Sequence, residues 1–193
     1  MERNCTTYFE KPGRENTMGV AEAVKERAQE LGIKHVVVAS STGETTLKFA
    51  NALAGMNLKL ICVGEHSGFT GGDEQMMPEE TRRELEGMGV PVLICSHALS
   101  GVGRSITNKL GGITGVEIIA HTLRRFGTEG LKVAVEVSIM AADAGLVPTN
   151  REIIAVGGTH GGADTAIVLK AAHMNNFFDI EIREIVAKPR QRG

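Results

Sequence analysis

The sequence predicts an α/β protein in which a mostly parallel sheet carries helices on both faces. Short β-branched runs alternate with segments of helical periodicity along the 193 residues, the order that a doubly covered sheet requires. Irregular, glycine-rich sequence accumulates after the C-terminal ends of the strands, the edge on which open α/β sheets bind ligands. No repeat, low-complexity tract or linker divides the chain, so residues 1–193 are expected to form one domain.

Each element has a local reason. Asn16 or Thr17 can cap a helix whose stripe of Val20, Val24, Ala28 and Leu31 closes at Gly32. The first clear strand is 36–39, and a helix follows over about 43–54 with Leu47, Ala50 and Ala54 on its stripe. A second strand spans 58–63. Pro78 opens a short helix with Glu79 and Glu80 in its first turn and Gly87 after its end. The third strand is 92–95. Thr114 and Glu117 form a capping box ahead of the stripe Ile118, Ile119, Leu123 and Phe126, which ends at Gly127. In 131–144, Val133, Val135 and Val137 alternate as in a strand, but Thr128, Gly145 and Pro148 fit helix ends, and the segment is read as helix. Strands four and five span 153–156 and 165–170, and an additional strand spans 180–187. The connections 64–78 and 96–112 are read as loops, long against a usual ~4–6 residues.

Composition narrows the function classes. With 42% hydrophobic and 23% charged residues, the chain is an ordinary globular sequence. A net charge near −2 leaves no footprint for nucleic acid or an anionic membrane, and the basic run 188–192 reads as a solvated tail. No apolar run approaches the ~20 residues of a membrane span, and the N-terminus lacks the apolar stretch of a signal peptide. Cys5, Cys62 and Cys95 are an odd number without a C-x-x-C pair, which predicts reduced thiols and a cytoplasmic location.

The most informative segment is Ser40-Ser41-Thr42-Gly43-Glu44-Thr45, where a strand ends in hydroxyls and one glycine and a helix begins at once. Free N–H groups, hydroxyls and the positive end of a helix dipole converge there, which suits a phosphate or carboxylate without a lysine. The competing reading is that Ser, Thr and Gly simply cap and turn the chain.

This strand–turn–helix unit resembles the C-terminal domain of pyruvate kinase, in which a similar loop holds a phosphate of a sugar bisphosphate. Gly157-Gly158-Thr159 and Gly161-Gly162-Ala163-Asp164-Thr165, followed by Ala166-Ile167-Val168-Leu169, resemble that domain's closing glycine loop and last strand. The segments Ser96-His97-Ala98-Leu99-Ser100-Gly101-Val102-Gly103-Arg104 and Met140-Ala141-Ala142-Asp143-Ala144-Gly145 are similar to those of small stand-alone proteins, the pyruvate kinase C-terminal-domain-like family. The resemblance covers roughly 32–171. It implies a three-layer α/β/α fold with a mixed, mostly parallel five-stranded sheet of order 3-2-1-4-5, its last strand antiparallel, plus terminal additions. It also implies flavin mononucleotide (FMN) as ligand and a homo-oligomer. The catalytic β/α barrel of pyruvate kinase, about 250 residues, does not fit in this chain, so no phosphoryl transfer is expected. Glu44 stands where the kinase loop carries a basic residue, and tryptophan is absent, so a ligand with one phosphate and a planar body is expected instead of a sugar bisphosphate.

With that strand order, the 40–45 loop faces 157–162 across a crevice. The expected ligand-binding set is Ser40, Ser41, Thr42, Gly43, Glu44 and Thr45 on one wall, with Gly157, Gly158, Thr159 and Asp164 opposite. Ser100, Gly101, Gly103 and Arg104 form a glycine-rich loop able to close over a phosphate; it lacks the third glycine of a dinucleotide fingerprint, and Ile106, Leu110 and Ile113 beside it suit a subunit contact equally. His66, Phe69 and Met174 are candidates for an apolar slot around a flavin ring, against the alternative of ordinary core. His66, His97 and His160 follow strand ends but lack metal-ligand spacing, so a metal centre with Asp73 or Asp164 ranks below the anion site. No nucleophile elbow or paired-carboxylate motif assigns catalytic residues. The expected function is binding of a phosphorylated small molecule, most readily FMN, with a flavin-dependent oxidoreductase or a metabolite-sensing interaction module as alternatives.

Overall fold

A computed structural model describes residues 4–191; the chain's first three residues and its last two, Arg192 of the basic run among them, lie outside the described residues. The strands are β1 (Thr7–Phe9), β2 (His35–Ala39), β3 (Lys59–Gly64), β4 (Val92–Ile94), β5 (Glu152–Gly157), β6 (Thr165–Lys170) and β7 (Glu181–Pro189). The α-helices are α1 (Thr17–Leu31), α2 (Glu44–Ala52), α3 (Glu79–Gly87), α4 (Val102–Leu110), α5 (Gly115–Phe126) and α6 (Glu129–Asp143). Among the described residues, no helix is long and apolar enough to cross a membrane.

The sheet has seven strands, not five, in the order β1-β7-β6-β5-β2-β3-β4. β2 pairs parallel with β3 and with β5, in the registers Val37↔Ile61 and Val37↔Ala155, while β6 runs antiparallel to β5. β7 and β1 extend the sheet beyond β6. The three-residue β1 is too short and too exposed to leave an alternating pattern. Lys188 and Pro189 belong to β7 instead of a solvated tail, and the Arg190 guanidinium lies 4.5 Å from the centre of the Tyr8 ring.

Strand residues alternate between two cores. Val36, Val38, Leu60 and Cys62 face α1, α2 and α3, where Val20, Val24, Phe49 and Leu85 are buried. Val37, Ile61, Ile153 and Ile167 face the other layer, where α6 packs. Twelve of the fifteen α6 residues are buried, because the helix lies between the sheet, α5 and the 3-10 turn Met174–Asp179. Burial on nearly every side erases the single stripe that would mark a helix, so the valine alternation mimicked a strand. Thr128 caps it, accepting the Leu131 N–H at 3.0 Å.

Two local expectations change. The 96–112 connection contains helix α4, which buries no side chain and packs on α5; Val102 and Leu110 are 77% and 78% exposed. Neither Asn16 nor Thr17 caps α1 through its side chain. Asn16 donates to Lys11 O, and the Thr17 hydroxyl donates to Arg14 O and accepts the Ala163 N–H at 3.0 Å, tying α1 to the second glycine loop. The capping box of Thr114 and Glu117 is present.

Gly157, at the end of β5, lies against the first turn of α6: a Cβ there would stand 2.3 Å from Gly130 O and 2.9 Å from Ala134 N. Both are backbone atoms, which yield only if the helix moves. Gly157→Ala is therefore expected to destabilise by about 1–3 kcal/mol through overpacking, lowering Tm by roughly 3–10 °C in calorimetry; an unchanged Tm would contradict this packing.

Candidate functional site

The turn after β2 is built from backbone constraints. Ser40 N–H donates to Val63 O at 2.9 Å, extending the β2–β3 pairing by one bond, and the Ser40 hydroxyl accepts the Thr46 N–H at 3.3 Å. Gly43 then takes φ +88°, a left-handed conformation, and α2 starts at the next residue. Helix geometry leaves the Glu44 and Thr45 amides without an intrahelical partner, and among the described residues neither finds another acceptor. Gly43 itself is buried against Thr81 and Leu85 of α3.

These amides border a cleft of about 660 Å³ that also receives residues from β3, the 95–101 loop, α4, α5, α6 and the second glycine loop. Of the expected set, Ser40, Ser41, Thr42, Glu44, Thr45, Phe69, Ser100, Arg104 and Gly158 line it. His66 is not among the lining residues, but its ring lies 5.6 Å from Phe69 and 4.9 Å from His97. His97 does line the cleft, so Phe69 and His97 present an aromatic wall to it.

Other members of the set serve the fold. The atoms that approach Gly157 are those of α6. Thr159 is buried. Asp164 is fully buried, accepting the Gly13 N–H and the Thr165 hydroxyl. Gly101 precedes α4, and Gly103 allows α4 to approach Thr114. Met174 follows β6, which runs antiparallel, so it lies at the opposite edge of the sheet, where its N–H donates to Asp143. In the second glycine loop, His160 lines the cleft at φ +54°, the one described non-glycine residue in the left-handed region.

The structure adds charges that the sequence motifs did not mark. Arg14 enters the cleft from the turn before α1, and Lys48 from α2. Along α6, Glu129, Lys132, Val133, Glu136, Val137 and Met140 line it as one helical face. The Lys132 and Glu136 side chains are only 5% and 6% exposed and form an ion pair; Glu136 Oε1 also accepts the Leu99 N–H at 2.8 Å. Their visible signal was a pair of charges four apart in an otherwise apolar helix. Arg124 pairs with Glu129 at 2.6 Å, whereas no carboxylate bridges Arg14, Lys48 or Arg104 among the described residues.

Glu65, just past β3, organises the aromatic wall. Its carboxylate lies 2.9 Å from His97 Nε2 and accepts the Ser41 hydroxyl at 3.1 Å. Burial pushes the Glu65 carboxyl up, but the hydrogen bond and charge of His97, the Ser41 hydroxyl and the charge of His66 outweigh it and hold the group below its ordinary value. Burial pushes the Cys62 thiol up to about 11 and, with the Asp143 charge, raises that of Cys95, so neither is an activated thiolate. Among the described residues, no group of three His, Cys, Asp or Glu side chains is placed to hold a metal ion.

A depressed carboxyl pKa contributes stability that is present above the unfolded value, ~4.3 for glutamate, and is lost as pH falls through the folded one. Glu65→Gln is therefore expected to flatten the acid limb of the Tm–pH curve measured between pH 3 and 7. Parallel curves for the two proteins would show that the Glu65 contacts add nothing.

Comparison with known proteins places this chain in a family. A model of the pyruvate kinase alpha/beta domain matches residues 18–169. Among solved structures, a pyruvate kinase from Cryptosporidium parvum aligns with a TM-score of 0.43 at 15% identity, over 81% of this chain and 23% of that one. A Cryptosporidium parvum pyruvate kinase in complex with ADP aligns with a TM-score of 0.40 at 15% identity, over 90% and 24%. This chain spans less than a quarter of the length of those enzymes. With the family model running from α1 into β6, the chain belongs to the pyruvate kinase alpha/beta domain family.

Proposed function

We propose that this chain binds a phosphorylated small molecule, FMN first among candidates, in the cleft above the C-terminal ends of β2, β3 and β5. The observation that carries this reading is that two unlike binding surfaces border one cleft. One is the start of α2, with the unpartnered Glu44 and Thr45 amides and the Ser41 and Thr42 hydroxyls. The other is the wall of Phe69 and His97. The cleft volume lies within the roughly 300–1,000 Å³ of small-molecule sites.

The donor set suits a phosphomonoester. Amides and hydroxyls bind it without a dedicated lysine, and Arg14, Lys48 and Arg104 add positive charge along the rim. The chain's own groups hold the phosphate on α2, flank a planar body with Phe69 and His97, and shield it on apolar Ala39, Val63 and Val137. Bound FMN would supply reversible electron and hydride acceptance, the basis of an oxidoreductase reading. Self-association has a candidate surface in α4, where Val102, Ile106 and Leu110 form an exposed apolar stripe.

Thr42 is exposed and lies just ahead of α2, where an added carboxylate is compatible with the helix dipole but opposes a bound anion. The purified protein is expected to absorb between about 350 and 500 nm after FMN loading, a region where protein side chains are silent. In fluorescence titrations, Thr42→Asp is expected to weaken FMN binding at least tenfold, about 1.4 kcal/mol, without lowering Tm. Wild-type affinity in this variant would place the phosphate elsewhere, and absence of FMN binding by the wild type would remove the flavin.

A further inference from the structure

We propose that the Lys132–Glu136 pair on α6 is a second binding pole of the cleft. There Lys132 donates to an anionic or carbonyl oxygen at the end of the ligand remote from its phosphate. The inference rests on the phosphoester reading above and narrows it to phosphate esters whose other end is a carbonyl-rich, electron-poor ring or an acid.

The argument begins with the burial of the pair. Taking an ammonium and a carboxylate out of water costs several kcal/mol per ion, and their attraction in the interior commonly does no more than offset this. The Leu99 N–H needs only an acceptor, and a neutral amide oxygen would serve it as well as Glu136 Oε1 does, without burying a carboxylate that then requires an ammonium beside it. The ammonium is not needed for that bond.

The second step is a count of donors. An ammonium has three N–H groups, and among the described residues Glu136 is the only acceptor for Lys132. Buried donors are satisfied in the great majority of cases, yet this side chain is 95% covered with two N–H groups unassigned. Lys132 is at the same time one of the cleft's lining residues. Val133, Val137 and Met140 on the same helical face make the neighbouring floor apolar. The cleft thus offers amides and hydroxyls on α2, an apolar floor with an aromatic wall, and one shielded ammonium. Lys132 is the binding residue of this pole; Glu136, held by Leu99, positions it.

The test uses two variants and three probes: FMN, riboflavin and inorganic phosphate. Lys132→Met with Glu136→Gln removes both charges together and keeps an amide oxygen for the Leu99 N–H, so no buried charge is stranded. Binding is read by flavin fluorescence quenching and, for phosphate, by the shift in Tm. The double variant is expected to lose at least tenfold in affinity for FMN and for riboflavin alike, while phosphate still raises its Tm as in wild type. Thr42→Asp is expected to do the reverse, losing FMN and phosphate but keeping riboflavin at wild-type affinity. That crossed pattern is not produced by a general loss of structure. Wild-type affinity for both flavins in the double variant would overturn the second pole and leave the phosphate seat standing. A wild type that binds neither FMN, riboflavin nor phosphate would overturn both.

Discussion

The near-contact of α6 with the end of β5 is the constraint from which the cleft takes its shape. Gly157 and Gly130 carry no side chains where the helix and strand meet, so Gly130 O can occupy the space a Cβ would fill. Gly130 in turn lies against Asp164 and Thr165 at the start of β6. The Thr128 hydroxyl links the helix cap to the Thr165 hydroxyl at 2.9 Å. These interactions set where the cleft-lining face of α6 stands over the C-terminal ends of β2 and β3. A displaced α6 would carry Lys132, Glu136 and their tether to Leu99 with it.

Strand direction explains how residues far apart in sequence share that cleft. β6 runs against β5, so the 158–164 loop is a tight return at the cleft edge instead of a crossover, and the chain re-enters the sheet facing away. The same reversal places the segment between β6 and β7, Met174 included, at the opposite edge, and antiparallel β7 then runs back. At the cleft edge, the N-terminal segment is bound to the return through Thr17 on Ala163 and Gly13 on Asp164. That binding places Arg14 in the cleft wall. The segment ahead of α1 is thereby part of the site and not only an addition to the fold.

Electrostatically the cleft separates two kinds of charge. Arg14, Lys48 and Arg104 stand without carboxylate bridges among the described residues, while Lys132 is sheltered beside its glutamate. Rim charges attract an anion from solution and are weakened by salt, whereas a shielded ammonium discriminates among ligands once water is displaced. Glu65 adds a buried negative charge: it fixes His97 and Ser41 together and thereby links the aromatic surface to the hydroxyl turn.

The local elements were legible in the chain itself. The β-branched runs of β2, β3, β5 and β6, the capping box at Thr114 and the glycine turn before α2 follow from dihedral preference and unpaired amides, which depend on near neighbours in sequence. Most of the hydroxyl turn was legible for the same reason. Helix α4 was obscured because its Gly101 and Gly103 resemble a ligand loop, and β1 because three exposed residues carry no periodicity. The roles of Gly157, Asp164 and Lys132 were decided only by the tertiary structure. A glycine that admits a phosphate and one that admits a helix are the same residue in one dimension. A lysine becomes a shielded donor only when α6, the sheet and the Leu99 loop close around it. Backbone conformation is a short-range property, whereas burial, and with it the strength of every charge in the cleft, is set by contacts between segments distant along the chain.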